Sequence, residues 1–289
     1  MNTTKKKVKS SLAKRNVQKF MANNMAVVGL IGLFLITFMC VAAPLFSEND
    51  GVAYNIMDRW SESTVDHPWG ADNMGRDLLG RLLYGGRISL YIGIVTALSV
   101  NIVGCALGCV AGYFGGKVDK ALVVLQEFMS LFPVTLILML IQGYIEGSAE
   151  FLIVLWTITG WGGGMRVVRS RILTLKQEPF IESCRANGIS SWSIMFHHML
   201  PNTMGPVIVN VTMNVGGYIL AETGLSYLGL GVSEHVPTWG NIINAAKNLS
   251  IVQTKPMMWL MPGACICWLV LSCNFFGDGL RDALDSTTR

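Results

Sequence analysis

The sequence predicts an all-α membrane protein with six transmembrane helices and both termini on the cytoplasmic side. Three observations lead there. Of its 289 residues, 52% are hydrophobic and only 14% charged, whereas a soluble domain carries a charged share nearer 25%. Six apolar runs reach or approach the ~20 residues that a helix needs to cross a hydrocarbon core. Lys and Arg are shared very unevenly between the segments those runs separate, which sets the orientation.

Residues 1–24 form a basic tail holding Lys5, Lys6, Lys7, Lys9, Lys14, Arg15 and Lys19. The cluster suits anionic lipid, although topology alone accounts for it. The first run, 25–46, has a basic leader like a signal peptide. Its apolar part is too long for one, and Pro44-Leu45-Phe46 offers no small-residue cleavage site, so it is expected to stay as the first helix. A loop of about 40 residues follows, 47–86, acidic at first and ending in Arg76-Asp77 and Arg81. A core of five further spans is expected over 87–280, with runs at 88–113, 121–144, 150–168, 203–230 and 257–279. The first of these has no charge at all. Glu127 interrupts the second, Glu222 interrupts the fourth, and the uncharged part of the third ends at Arg166. Residues 281–289 complete the chain as a second short tail. Counted by side, 16 Lys and Arg lie with the tails and the 114–120 and 166–201 segments, against six on the other side, five in the 47–86 and 231–256 loops and Arg87 at the edge of the first. The first group is therefore expected to face the cytoplasm.

One cytoplasmic segment, 169–201, stands out for its polarity. Glu182 begins a short helical run that Gly188 ends, glycine being the residue that takes the left-handed conformation past a helix C-terminus. A second piece, Trp192-Ser-Ile-Met-Phe196, leads to Pro201, a residue tolerated in the first turn of the helix that follows. Such a helix–turn–helix suits a groove on another protein. An ordinary solvated loop fits the local pattern equally well.

Other features exclude chemistry. Six of the seven cysteines lie in apolar runs and no CxxC pair occurs, so neither a disulfide framework nor a metal or redox motif is expected. "AGYFGGKV" lacks both the first glycine and the hydroxyl of a phosphate loop, so the chain has no nucleotide site of its own. His197 and His198 are adjacent and point about 100° apart on a helix, so no metal site is expected there. His67 and His235 fall in the two outer loops. No span offers a nucleophile–base pair, which argues against a membrane-embedded enzyme. A carboxylate within a span costs on the order of 3 kcal/mol at mid-bilayer. Glu127 and Glu222 are therefore candidates to line a pathway or gate, or to hydrogen-bond structurally. Gly104, Gly108 and Gly112 form a ladder that allows close helix packing within the chain or against a second one. Gly162-Gly163-Gly164 suggests a bend or a thin wall.

The blocks of this chain resemble those of a known family. "ESCRANGISSWSIMFHHMLPN" (182–202) is similar to the EAA loop of ABC-importer permease subunits, with Ser183-Cys184 replacing the usual alanine pair and His198 standing where many members have isoleucine. "HPWGADNMGRDLLGRLLYGGRISL" (67–90), "GYFGGKVDKALVVLQEFMSLFP" (112–133), "LAETGLSYLGLGVSEHVPTWGNII" (220–243) and "MPGACICWLVLSCNFFGDGLRDALD" (261–285) resemble blocks of dipeptide, oligopeptide and nickel permeases, with Glu127 where aspartate is usual. The match is to the C-type transmembrane subunit.

The resemblance implies a type I ABC-importer permease fold in the bacterial plasma (inner) membrane. It implies a B-type permease partner, two ATP-binding-cassette ATPase subunits holding the ATP and Mg, and an external substrate-binding protein. Lipid surrounds the chain, and no nucleic acid, metal or cofactor is expected in it. Glu182, Ser183, Cys184, Gly188, His198, Leu200 and Pro201 would then form the coupling loop that docks into the ATPase. Short peptides are the expected solute. A nickel or metal-chelate importer is the nearest alternative, and an ATP-independent carrier or channel is the alternative from another class.

Overall fold

The computed structural model describes residues 14–65, 67–141 and 147–284. Lys5, Lys6, Lys7 and Lys9 of the basic tail, the end of the 121–144 run and Arg289 lie outside the described residues. The helices of the first half are α1 (Asn24–Val41), α2 (Leu78–Phe114), α3 (Gly116–Leu131) and α4 (Val134–Ile141). The second half contributes α5 (Ala149–Gly160), α6 (Gly162–Leu175), α7 (Pro179–Ala186), α8 (Leu200–Tyr227), α9 (Trp239–Ala245), α10 (Leu249–Thr254) and α11 (Met257–Leu284). No strand forms among the described residues beyond one isolated bridge, Ala71 to Asp77.

Four helical rods are long and apolar enough to cross a membrane alone: α1, α2, the rod from Ser191 through α8, and α11. The pairs α3–α4 and α5–α6 bring the number to six, but each is bent, by 62° and 40°. The unbroken runs expected at 121–144 and 150–168 are thus broken spans. At the first break Pro133 lacks an N–H and forces Phe132 out of the helical region, to φ −87° and ψ 114°. At the second, Trp161 precedes three glycines. Gly162 and Gly164 lie against Gln126 and Asn101, while Gly163 faces open space.

The α2 helix starts ten residues before the apolar run expected at 88. Asp77 accepts the Gly80 N–H at 2.6 Å as its N-cap, and the arginines of the first turns are turned to protein. Arg87 donates from Nε to the Cys40 carbonyl at 2.7 Å and from Nη2 to the Val41 carbonyl. It thereby satisfies orphan acceptors at the end of α1. The glycine ladder resolves as packing inside the chain. A Cβ on Gly104, Gly108 or Gly112 would come within 2.7 to 2.8 Å of Trp161, Met165 and Ile172, so these glycines are what lets α6 lie flat on α2. As a result 169–175, expected in the cytoplasmic loop, continue α6 along α2. Gly29 on α1 plays the same part against Phe276 and Ser272 of α11.

Candidate functional site

The polar segment lies at the end of the bundle where α2 and α6 finish. Its first helix opens at Pro179 rather than at Glu182, which falls in the first turn. Proline in that turn forfeits an N–H that would be unsatisfied anyway. The helix ends in a Schellman motif. Gly188 takes φ +72°, its N–H donates to the Arg185 carbonyl at 2.9 Å, and the Ile189 N–H donates to the Cys184 carbonyl at 3.1 Å.

The second piece is not a separate helix before Pro201. It is one turn from Ser191, capped by Ser190, and a π-helical stretch, Ile194–Met199, that runs straight into α8. Pro201 supplies no N–H at the junction, and the backbone widens there, the Leu200 N–H reaching the Met195 carbonyl. Asn202 Nδ2 takes up the His198 carbonyl at 2.6 Å.

One side of this segment is core. Ile181, Ile194, Met195 and Met199 are fully buried against Cys109, Tyr113, Val168 and Ile172, with Cys184 and Leu200 half-buried beside them. The other side is open: Glu182, Ser183, Gly188, His197 and Pro201 are exposed, and His198 is half-exposed. Two aromatics stand out on that open side. Trp192 is 60% exposed and stacks on Phe196, with ring centroids 5.7 Å apart and planes 4° from parallel.

Tyr113, which the sequence did not single out, is the seat of the segment. Its hydroxyl donates to Ser191 Oγ at 3.2 Å, its carbonyl accepts Lys176 Nζ at 2.7 Å, and Arg185 lies over its ring at 5.4 Å. Its place at the end of an uncharged run, where amphipathic rings collect at membrane interfaces, was the available signal. Beside it Arg169 grips Asp119 with two parallel bonds, 2.5 and 2.6 Å. Such a fork is both strong and directional, and it ties α6 to the first turn of α3.

The two intramembrane carboxylates lie in different surroundings. Glu222 on α8 is fully buried within the chain. Ser226 Oγ donates to its Oε1 at 2.7 Å, the hydroxyls of Thr238 and Ser89 also reach the carboxyl, and Oε2 is buried without a partner. Glu127 on α3 is exposed and makes no ion pair among the described residues. Its neighbour Gln126 is buried instead and accepts Arg166 Nε at 2.9 Å.

At the opposite end, the 47–86 loop and the first turns of α2 enclose a charged core. Asp72 Oδ2 stands 2.7 Å from Arg76 Nε and 3.5 Å from Arg81 Nε, all three residues 1% exposed. His67 lies between Asp77 at 3.4 Å and Asp58 at 3.7 Å, while His235 is exposed on the other loop. No group of three metal-ligating side chains occurs among the described residues.

Two family profiles and a set of curated relatives match the chain. Residues 104–289 match the profile of the binding-protein-dependent transport system inner membrane component. Residues 11–61 match that of the N-terminal TM domain of oligopeptide transport permease C. The chain is 34% identical over 279 residues to an oligopeptide transport system permease protein of Bacillus subtilis (strain 168), covering 96% of this chain and 91% of that one. It is 34% identical to a dipeptide transport system permease protein of Alkalihalophilus pseudofirmus, over 91% and 86% of the two chains. It is 35% identical to an oligopeptide transport system permease protein of Escherichia coli (strain K12), over 94% and 90%.

Proposed function

Because the chain belongs to the family of binding-protein-dependent transport system inner membrane components, a multi-pass membrane protein family, we propose that it is the C-type permease subunit of an ATP-driven importer of short peptides. With a B-type permease it forms the translocation path, and two ATPase subunits drive the switch between outward- and inward-open states. An external binding protein delivers the solute. The tails and the 176–202 segment face the cytoplasm.

The observation that carries this reading is the build of 176–202. Its inner side is pinned to Tyr113 and to the buried Ile181, Met195 and Met199, while Glu182, Gly188 and Trp192 are exposed at its outer side, Trp192 stacking on the half-buried Phe196. A segment held this firmly on one side and offering charge and aromatic area on the other is built to transmit force from a docked partner. Aromatic residues of this kind are also the usual anchors of protein–protein contacts. Peptides as solute are supported by the oligopeptide and dipeptide permeases to which the chain is similar. ATP acts on the path only through the difference in its affinity for the two states of the complex, so the docking contact is where the energy must cross.

The test is a mild-detergent pull-down of the tagged chain, with co-purified subunits identified by mass. The wild type is expected to retain a second permease and two ATPases, and Glu182→Ala and Gly188→Pro to lose the ATPases while keeping the permease. A chain that purifies alone and moves solute in vesicles without ATP would instead be a carrier.

A further inference from the structure

The exposed side of α6 is polar where the protein should be greasy. Gly163, Arg166 and Ser170 recur at helical spacing and are exposed, so they form one stripe along the helix, while the exposed Arg171, five residues from Arg166, turns to the adjoining face. The opposite side, Met165, Val168 and Ile172, is buried against α2 at the level of Gly104 to Gly112. That stretch of α2 is uncharged. Arg166 thus stands beside hydrocarbon-depth helix, nine residues or about 14 Å from the end of α6. Beyond Ser170 and Arg171 the stripe opens into a groove of about 470 Å³ between α6, α8 and α11, whose wall adds Asn210 and Arg281.

Neither Arg166, Arg171 nor Arg281 has a carboxylate within ion-pairing distance among the described residues. Gln126 takes only the Nε of Arg166. Guanidinium groups at this depth need water or an anion, because lipid tails offer neither. Gly163 adds a bare wall at the bend of the fourth span, where an added Cβ would meet nothing within 4 Å.

We propose that this stripe lines the water-filled half of the passage next to the coupling segment, and that Arg166 and Arg171 receive the carboxylate of the passing solute. A guanidinium matches a carboxylate by two parallel N–H bonds. Each passing carboxylate therefore meets two consecutive cationic stations along one helix. The solute class is a small molecule with a free carboxylate, such as a short peptide with an unmodified C-terminus. The assignment of solute rests on the permease reading above; the assignment of the lining does not.

The lining is tested on the full chain in native membranes with a hydrophilic maleimide, reading Gly163→Cys and Ser170→Cys above the labelling of the parent chain. Ile158→Cys, on the exposed apolar side of α5, is the control. Maleimide needs a hydrated thiolate, so both stripe positions are expected to label about tenfold faster than Ile158→Cys. Labelling of Gly163→Cys as slow as that control overturns the passage. It would leave protein or lipid headgroups as what covers the stripe.

The solute class is tested in vesicles carrying the intact importer, with radiolabelled trialanine and its C-terminal amide. The Arg166→Gln/Arg171→Gln variant is expected to lose about tenfold in uptake of the free acid and little of the amide. Equal losses for both, no loss, or no trialanine uptake by the wild type overturns the carboxylate assignment. Fast labelling of Gly163→Cys together with no uptake and no co-purified ATPase would separate a failed permease reading from a failed lining.

Discussion

A buried charge has to be satisfied by whatever surrounds it, and two sites here show how. Glu222 is met by hydroxyls from α8 itself, from Thr238 before α9 and from Ser89 on α2. Replacing it with Leu leaves those hydroxyls without their acceptor, a loss of about 1–3 kcal/mol. Glu222→Gln keeps an acceptor and is expected to unfold within a degree or two of wild type in detergent thermal melts, with Glu222→Leu clearly lower. The Asp72 site is harsher, because one carboxylate serves two buried guanidinium groups. Asp72→Ala takes the nearest carboxylate from both, leaving Arg76 on Glu234 and Arg81 on the Gly51 carbonyl, and is expected to destabilise by about 3–5 kcal/mol, read as lost yield and an early melt. Glu222 was legible in the sequence as an anomaly, a carboxylate in an apolar run. Its partners were not, because Ser89 and Thr238 come from other elements. The Arg81 residue misled for the opposite reason. Counted as a loop charge, it is inside a helix and 1% exposed.

At the scale of elements, the apolar runs located the four long rods and the two bent helix pairs, since a run of that length suits a bilayer core. Pro133 is a visible breaker, and Gly162-Gly163-Gly164, which suggests a bend, begins where α5 and α6 meet after Trp161. The extensions were less legible. The start of α2 at Leu78 depends on the Asp77 cap and on arginines turned inward by the outer loop. Replacing that cap, Asp77→Ala, is expected to cost about 1 kcal/mol, visible as faster hydrogen exchange of the Gly80 and Arg81 amides. In the 176–202 segment Gly188 was legible through the one property that matters, its positive φ of +72°. Gly188→Ala keeps the Schellman bonds but forces a Cβ into the left-handed region, costing about 1–2 kcal/mol. Weaker ATPase co-purification with an unchanged global melt is expected. Gly108→Leu acts on the packing of α2 against α6, where a side chain meets the Met165 backbone. It is expected to lower the melt of the whole chain.

The whole molecule is two anchored ends joined by long helices. At one end the 47–86 loop closes over Asp72, Arg76 and Arg81. At the other, 176–202 is seated on Tyr113. The helical rod from Ser191 to Tyr227 joins the two, 37 residues long, or about 55 Å at 1.5 Å per residue. Its root is the widened π turn over Ile194–Met199, and its far end holds Glu222 in contact with Ser89 and Thr238. Glu222 lies about 35 Å along the rod from Met199, so with the rod stiff beyond its root a swing of about 5° there carries Glu222 through about 3 Å. Added to the length of a hydrogen bond already made, a shift of that size is enough to break it. A push too small to unseat Tyr113 would therefore be enough to part Glu222 from Ser89 and Thr238, while Ser226, on the same rod, moves with it. The arithmetic of a long lever turns a slight rotation at the root into an open-or-shut event at the tip.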